Sequence, residues 1–264
     1  MCSVRESQYD HIGQDYSDYA NVTIPFAKLA AELVGEALGD CTGLTVLDLA
    51  GGDGLHARRA LDAGAAYVDV VDVSEKMIEL GKAKDQGADR EGRLRWFVAN
   101  VMKPLREQGS LSPEDGRYDI VMGNWLHESA ALSEKDAELM WRNIVDSLKP
   151  GGRFLGLRML YSGATGRSLK GKYGATVEDI KEVPGVWLYR LRMETKKPFT
   201  LEATMVPDVC LMKNKIPRDM GLVDFDFVPM EKLAMVQSDM EFWREAREDP
   251  MIAVVTAKKP EAKV

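Results

Sequence analysis

The residues with the most chemical content lie in the run Val46-Leu47-Asp48-Leu49-Ala50-Gly51-Gly52-Asp53-Gly54-Leu55-His56-Ala57. An apolar strand that runs into a glycine-rich turn and then a helix lets a ligand approach bare backbone amides. Gly52-x-Gly54-x-x-Ala57 also satisfies the dinucleotide fingerprint, so spacing alone leaves two ligand classes open. The acids separate them. Asp48 ends the strand, and Asp53 sits inside the turn where a dinucleotide would put its pyrophosphate. Like charges about 4 Å apart repel by roughly 4 kcal/mol at an effective dielectric of about 20. A ligand whose near end is a cation turns that cost into a gain. S-adenosylmethionine brings an ammonium, a sulfonium and no phosphate, so the loop predicts it as the cofactor and S-adenosylhomocysteine as its product.

A second anchor follows. Asp72 closes Tyr67-Val68-Asp69-Val70-Val71-Asp72, eighteen residues after Gly54, the spacing at which a second-strand acid reaches a ribose diol. One carboxylate can accept hydrogen bonds from both hydroxyls. Asp69 points to the other side by strand alternation and reads as structural. Beyond Asp72, Met77 can face an adenine or pack in the core. Asn100-Val101, after a third strand, can pair with the adenine amino group or form a plain loop.

A sulfonium methyl is already activated, so an enzyme using it mainly aligns a nucleophile and excludes water. A general base is needed only where the acceptor must lose a proton early. His127 and Glu128, just past a fourth strand, are the candidates. His127 is one of three histidines, with His11 and His56, and imidazole titrates near neutrality. A scaffold role for His127 stays open, and His56 reads as structural. Tyr9, Tyr16 and Tyr19 are spaced by seven and three, which a helix aligns on one side. Tyr161, Tyr173, Trp187 and Tyr189 are candidates for an aromatic acceptor wall.

These groups need elements to hold them. Residues 23–38 carry Phe26, Leu29, Ala30, Leu33, Val34, Ala37 and Leu38 on one helical stripe that Gly39 stops. Leu44–Ala50, Tyr67–Val71, Leu94–Ala99, Tyr118–Met122 and Arg153–Met159 read as strands. Helical stretches lie between them, one capped by Ser74 and one by Ser133 with Asp136. Such alternation predicts an α/β fold with a parallel sheet covered on both faces. The pattern fails after residue 160, where Gly163, Gly166, Gly171 and Gly174 fall close together and two apolar runs follow, Val186–Leu191 and Phe199–Met205. Leu222–Val228 and Met251–Lys258 resume strand character. The expected organisation is one domain over 1–264: a helical cap (1–40), a cofactor-binding core (41–160), a substrate-side insertion (161–220) over the sheet's carboxyl edge, and closing strands (221–264).

Composition narrows the class. The 264 residues are 45% apolar and include five Trp, seven Phe and eight Tyr, enough for one sizeable core. There is no long uncharged apolar run, so no membrane span is expected, and the first residues lack the apolar core of a signal peptide. Cys2, Cys41 and Cys210 are odd in number and far apart, which indicates neither a disulfide framework nor a metal site. A cytoplasmic protein is the simplest expectation. The net charge of −7 argues against nucleic acid as a partner. Residues 161–220 run against the balance, with eleven basic side chains to seven acidic. They form either an ordinary solvated surface or a lid for an anionic small molecule.

Three of these segments carry a family resemblance. Val46–Gly54 resembles the first motif of class I S-adenosylmethionine-dependent methyltransferases, Val70-Val71-Asp72-Val73-Ser74 their second-strand motif, and Leu148-Lys149-Pro150-Gly151-Gly152-Arg153-Phe154 the turn before their fifth strand. The resemblance covers residues 8–160 well and the remainder loosely. It implies a Rossmann-like seven-stranded sheet with an antiparallel last strand. It implies cofactor contacts from Asp48, Ala50, Gly51, Gly52, Gly54, Asp72, Val73, Met77, Asn100, Val101, Asn124 and Trp125. The family often has Gly where Ala50 stands.

Tyr9-Asp10-His11-Ile12-Gly13-Gln14-Asp15-Tyr16 and Tyr118-Asp119-Ile120-Val121-Met122-Gly123-Asn124-Trp125-Leu126 are similar to small-molecule methyltransferases of the toxoflavin-biosynthesis type. There, tyrosines of the first segment close over the methionine end, which implies Tyr16 and then Tyr9 at the methyl group. Gly123-Asn124-Trp125-Leu126 is unlike the Asn/Asp-Pro-Pro-aromatic motif of enzymes that methylate base amines. The expected activity is methyl transfer to nitrogen or oxygen of a small heteroaromatic or phenolic acceptor by a monomer or homodimer. The alternative is a related protein that uses the bound sulfonium for another reaction, such as a pericyclic one.

Overall fold

Val46 and Leu47 are neighbours in the chain yet reach opposite faces of one sheet, Val46 into a core with Phe26 and Leu29, Leu47 into another with Trp141 and Ile144. Successive strand side chains alternate, so strands apolar on both sides must be covered on both. The computed structural model describes residues 7–20, 24–88, 90, 92–108, 111, 117–160 and 170–262. Tyr161, Gly163 and Gly166 lie outside the described residues.

Helices α1 (Gln8–Ala20) and α2 (Pro25–Leu38) precede strand β1 (Thr45–Leu49). Alternation follows: α3 (Leu55–Asp62), β2 (Tyr67–Asp72), α4 (Glu75–Asp85), β3 (Leu94–Val98), β4 (Tyr118–Met122), α5 (Leu126–Ala130), α6 (Glu134–Ser147) and β5 (Leu148–Met159). The caps lie where the sequence predicts them. Ser74 Oγ accepts the Met77 N–H at 3.2 Å, and Ser133 Oγ that of Asp136 at 3.1 Å. The stripe on α2 buries Phe26, Leu29, Leu33 and Val34 almost completely, each contributing roughly 1.5–3 kcal/mol.

A second sheet then interrupts the alternation, with strands β6 (Ala175–Val183), β7 (Val186–Met193) and β8 (Phe199–Met205) in an antiparallel meander. Short helices α7 (Pro207–Cys210) and α8 (Lys215–Asp219) lead back to β9 (Val223–Phe227), and α9 (Ala234–Gln237) and α10 (Arg244–Glu248) to β10 (Ile252–Lys258). The main sheet has seven strands in the order β3-β2-β1-β4-β5-β10-β9. Pairing is parallel from β3 to β5, and β10 runs antiparallel to both its neighbours. This is the Rossmann-like α/β arrangement that the sequence predicts. No helix among the described residues is long and apolar enough to cross a membrane.

The small sheet and α1 are tied together. Gln8 mimics a strand edge: its amide donates to the Glu202 carbonyl at 2.7 Å and accepts the Glu202 N–H at 3.0 Å. Thr204 of β8 donates to the Ala131 carbonyl at 2.6 Å, which fixes the small sheet to the end of α5. These contacts bring α1, α5 and the inner face of the small sheet together over the carboxyl end of the parallel strands.

Candidate functional site

Three clefts open at that carboxyl end, and Tyr16 and Trp125 line all of them. The first, about 560 Å³, is lined by Asp48, Ala50, Gly51 and Gly52, and by the small side chains Ala27, Ala30 and Ala31 of α2. The second, about 580 Å³, shares Ala50, Gly52 and Asn124 with the first and adds Tyr9, Asp72, Val73, Met77 and Val101. The third, about 390 Å³, lies between α1, α5 and the small sheet and includes Tyr9, Tyr19, Glu128 and Tyr189. The first two form one groove around the loop after β1.

The loop is built for close approach. A Cβ on Gly51 would sit 2.7 Å from Val70 Cγ1 and 2.9 Å from the Asp48 carboxyl, so no side chain fits there. Ala50 has φ +54°, a left-handed conformation that costs a non-glycine residue about 1 kcal/mol. That explains why Gly is common at this position in the family the chain resembles. Gly54 is not on the groove. Its φ of +80° turns the chain into α3, and a Cβ there would lie 2.5 Å from the Trp96 ring.

Asp48 is buried, and its carboxyl pairs with no cation and makes no close hydrogen bond among the described residues, although Arg58 and the Ala57 N–H lie near enough to favour its charged form. Burial first, and then Asp72, pushes its pKa up to about 7. Asp72 is bonded: it accepts the Gly52 N–H and the Ser74 N–H, each at 2.9 Å. Burial raises its pKa while those amides oppose the rise.

Asp53 corrects the reading of the loop. Ser17 donates to its carboxylate at 2.6 Å, and Lys84 and Arg58 pair with it. Its charge is answered within the protein, so Asp48 and Asp72 carry the negative potential of the groove. Asp69, sealed in the sheet, accepts from Arg95 and from the Tyr118 hydroxyl.

The three tyrosines of α1 pack in sequence, Tyr9 edge-to-face with Tyr16 at 5.0 Å between centroids and Tyr16 tilted against Tyr19 at 5.7 Å. Burial raises the pKa of each, so they are neutral donors near pH 7. Trp125 has φ +57°, uncommon for a bulky residue, and its ring stacks on Phe26 at 6.1 Å. Asn124 accepts the Leu157 N–H at 3.1 Å and turns an unpartnered amide nitrogen inward.

His127 and Glu128 part company. His127 is buried, its ring 5.0 Å from that of Trp141, and it lines none of the three clefts. Burial and nearby Arg158 hold its pKa well below the ordinary value, so it stays neutral. The structure thus places the histidine expected as a base away from the three clefts. Glu128 lines the third cleft: one oxygen accepts the Met159 N–H at 3.0 Å, and the other has no partner among the described residues. Burial pushes its pKa up to about 7.

Two further expectations are corrected. Asn100 spends its side-chain oxygen on the Met102 N–H at 2.8 Å and lies off the groove, whereas Val101 lines it. Tyr173 is fully buried, stacked on Trp243 at 4.9 Å, and Trp187 is not on the third cleft, so among the described candidates Tyr189 lines it. Sequence reasoning missed the alanines of α2, whose signal was only their small size on an apolar stripe. It also missed that His56 lines the first cleft.

Comparisons with known proteins agree with this fold. Residues 46–152 match a family model described as a methyltransferase domain. Among solved structures, the chain is similar to the CcbJ methyltransferase from Streptomyces caelestis at 18% identity and TM-score 0.61, covering 98% of this chain and 100% of that one. It is also similar to the glycopeptide N-methyltransferase MtfA complexed with sinefungin, at 16% identity and TM-score 0.53, covering 87% and 92%. A third is the 4+2 cyclase SpnF, at 15% identity and TM-score 0.57, covering 96% and 95%. The family match supports S-adenosylmethionine as the cofactor. The groove fits it: an orphaned carboxyl suits an ammonium, and side-chain-free backbone leaves room beside it.

Proposed function

We propose that this chain transfers a methyl group from S-adenosylmethionine to nitrogen or oxygen of a small, heteroaromatic or phenolic acceptor. One observation carries the reading: a groove with a buried carboxyl at Asp48 that no described cation pairs with and a separate cleft with a free carboxyl oxygen at Glu128 meet at Tyr16 and Trp125. When bound, the cofactor supplies an electrophilic methyl on sulfur. In this reading Asp48 holds the amino-acid end, and Asp72 accepts from the ribose hydroxyls. Val73, Met77 and Val101 receive the adenine. Tyr16 and Trp125 wall the passage between groove and cleft and exclude water. Glu128 takes the proton that the acceptor loses, a role its raised pKa suits near neutral pH. The small-molecule branch that the Tyr9–Tyr16 and Tyr118–Leu126 segments resemble supports the size of the acceptor.

The test is incubation with S-adenosylmethionine and a panel of small phenols, N-heterocycles and amines, reading S-adenosylhomocysteine. Its accumulation with a methylated acceptor is the expected result. The likeness to a cyclase favours one second reading, a reaction in which the sulfonium is bound but not consumed. Product formed without S-adenosylhomocysteine would select it.

A further inference from the structure

The third cleft differs in chemistry from the groove it meets. Tyr9, Tyr16, Tyr19, Trp125 and Tyr189 line it beside apolar side chains, and among the described residues Glu128 is its one carboxyl. No Lys, Arg or His among the described residues lines it. Glu128 is 4% exposed, with one oxygen unpartnered among the described residues. Arg158, the nearby cation, does not line the cleft: it lies 5.0 Å over the Trp141 ring and donates to Asn214 at 2.8 Å, and it lowers the proton affinity of Glu128 through space without an ion pair to it. The other titratable groups that sense Glu128 are Tyr9, Tyr189 and Cys210, and burial raises all three, so they stay neutral near pH 7.

Among the described residues, no basic side chain of 170–220 lines the cleft, and four such side chains are ion-paired. Lys172 pairs with Glu245, Arg190 with Asp179, Arg192 with Glu194 and Lys215 with Asp219. None of these lines the cleft, which removes them as receivers of an anionic molecule.

A buried carboxylate among electron-rich rings is the donor set that suits an organic cation. We infer that the third cleft takes an acceptor bearing a basic amine on a compact apolar body, its ammonium paired with Glu128 among the aromatic side chains. The assignment rests on the methyl-transfer reading for calling the cleft an acceptor site, and it narrows that reading to amine acceptors. An anionic head group would meet Glu128 with no cation among the described lining residues to answer it. A neutral alcohol would leave the buried carboxylate unpaired, which costs affinity.

Calorimetric titration of the full chain with phenethylamine, 2-phenylethanol and phenylacetate tests this, since the three share a body and differ in head group. At pH 8 phenethylamine is expected to bind about tenfold or more tighter than the alcohol, with phenylacetate weakest. That advantage shrinks toward pH 6 as Glu128 protonates. Glu128→Gln removes it while S-adenosylhomocysteine affinity is retained, which shows the variant is folded. Should Glu128→Gln fail to fold, the pH dependence of the parent chain decides. Phenylacetate binding as well as the amine, an amine advantage that ignores pH, or one that survives in a folded Glu128→Gln protein overturns the assignment. None of these readouts involves methyl transfer. A parent chain that binds S-adenosylhomocysteine but shows no amine preference loses only this inference, whereas one that ignores S-adenosylhomocysteine loses the methyl-transfer reading itself.

Discussion

Asp72 accepts the Gly52 N–H at 2.9 Å, so the acid that ends the second strand fixes the loop that follows the first. Its other oxygen accepts the Ser74 N–H and sets the start of α4. Asp72 therefore shapes the groove as well as facing it. Asp72→Ala is expected to weaken cofactor binding by about 100-fold or more, because it removes charge-assisted acceptors and loosens Gly52 together. Calorimetry measures it; unchanged affinity would remove Asp72 from the ribose role.

Asp48 sets function against stability. Folding raises the proton affinity of this buried carboxyl above its ordinary value of 3.8, to about 7. The native state is favoured where both forms are protonated, below about pH 4, and that advantage is lost as pH rises toward about 7. Asp48→Asn is therefore expected to be more stable than the parent at pH 8, on the order of 2 kcal/mol by urea denaturation, with the difference vanishing near pH 4. The same variant loses cofactor affinity. A stability difference independent of pH would mean that Asp48 is not the buried, unpaired acid described here.

Glu128 predicts the pH profile of turnover. With its pKa near 7, the unprotonated form that can accept a proton grows between pH 6 and 8, so kcat rises over that range and levels above it. Glu128→Gln is expected to lower kcat by about 10²–10⁴-fold with little effect on cofactor affinity. A flat profile in the parent enzyme would assign proton removal to solvent.

His127 makes the opposite prediction. Its Nε2 is buried without a partner among the described residues, and its ring packs on Trp141. His127→Leu keeps the volume and removes the unsatisfied nitrogen, so stability is expected to stay level or rise and the pH profile of kcat to stay unchanged. Loss of the profile in a fully folded variant would return the base to His127.

The difference between these two neighbours marks where sequence stops being readable. The period of apolar residues sets the strands, and the caps at Ser74 and Ser133 set helix starts, so the main sheet was legible. The placement of Asp48 and Asp72 near one edge was legible too, since Asp48 lies one residue before the end of β1 and Asp72 ends the adjacent, parallel β2. The pairing of Asp53 was not, because its partner Lys84 lies 31 residues away. Nor was the direction of His127 and Glu128, which depends on Trp125 adopting φ +57° ahead of a five-residue helix. Strand β6 escaped because Glu178, Asp179, Lys181 and Glu182 interrupt its alternation and Asp179 sits at a register shift with φ +52°.

Competitive nucleotide binding bears most directly on the whole account. Calorimetry of the purified chain with S-adenosylmethionine and, separately, NADH asks whether the carboxyls at Asp48 and Asp72 select a cationic adenosyl ligand over a polyanionic one. Saturable binding of S-adenosylmethionine with no measurable heat from NADH is the predicted result. Binding of NADH by a chain that ignores S-adenosylmethionine would contradict it.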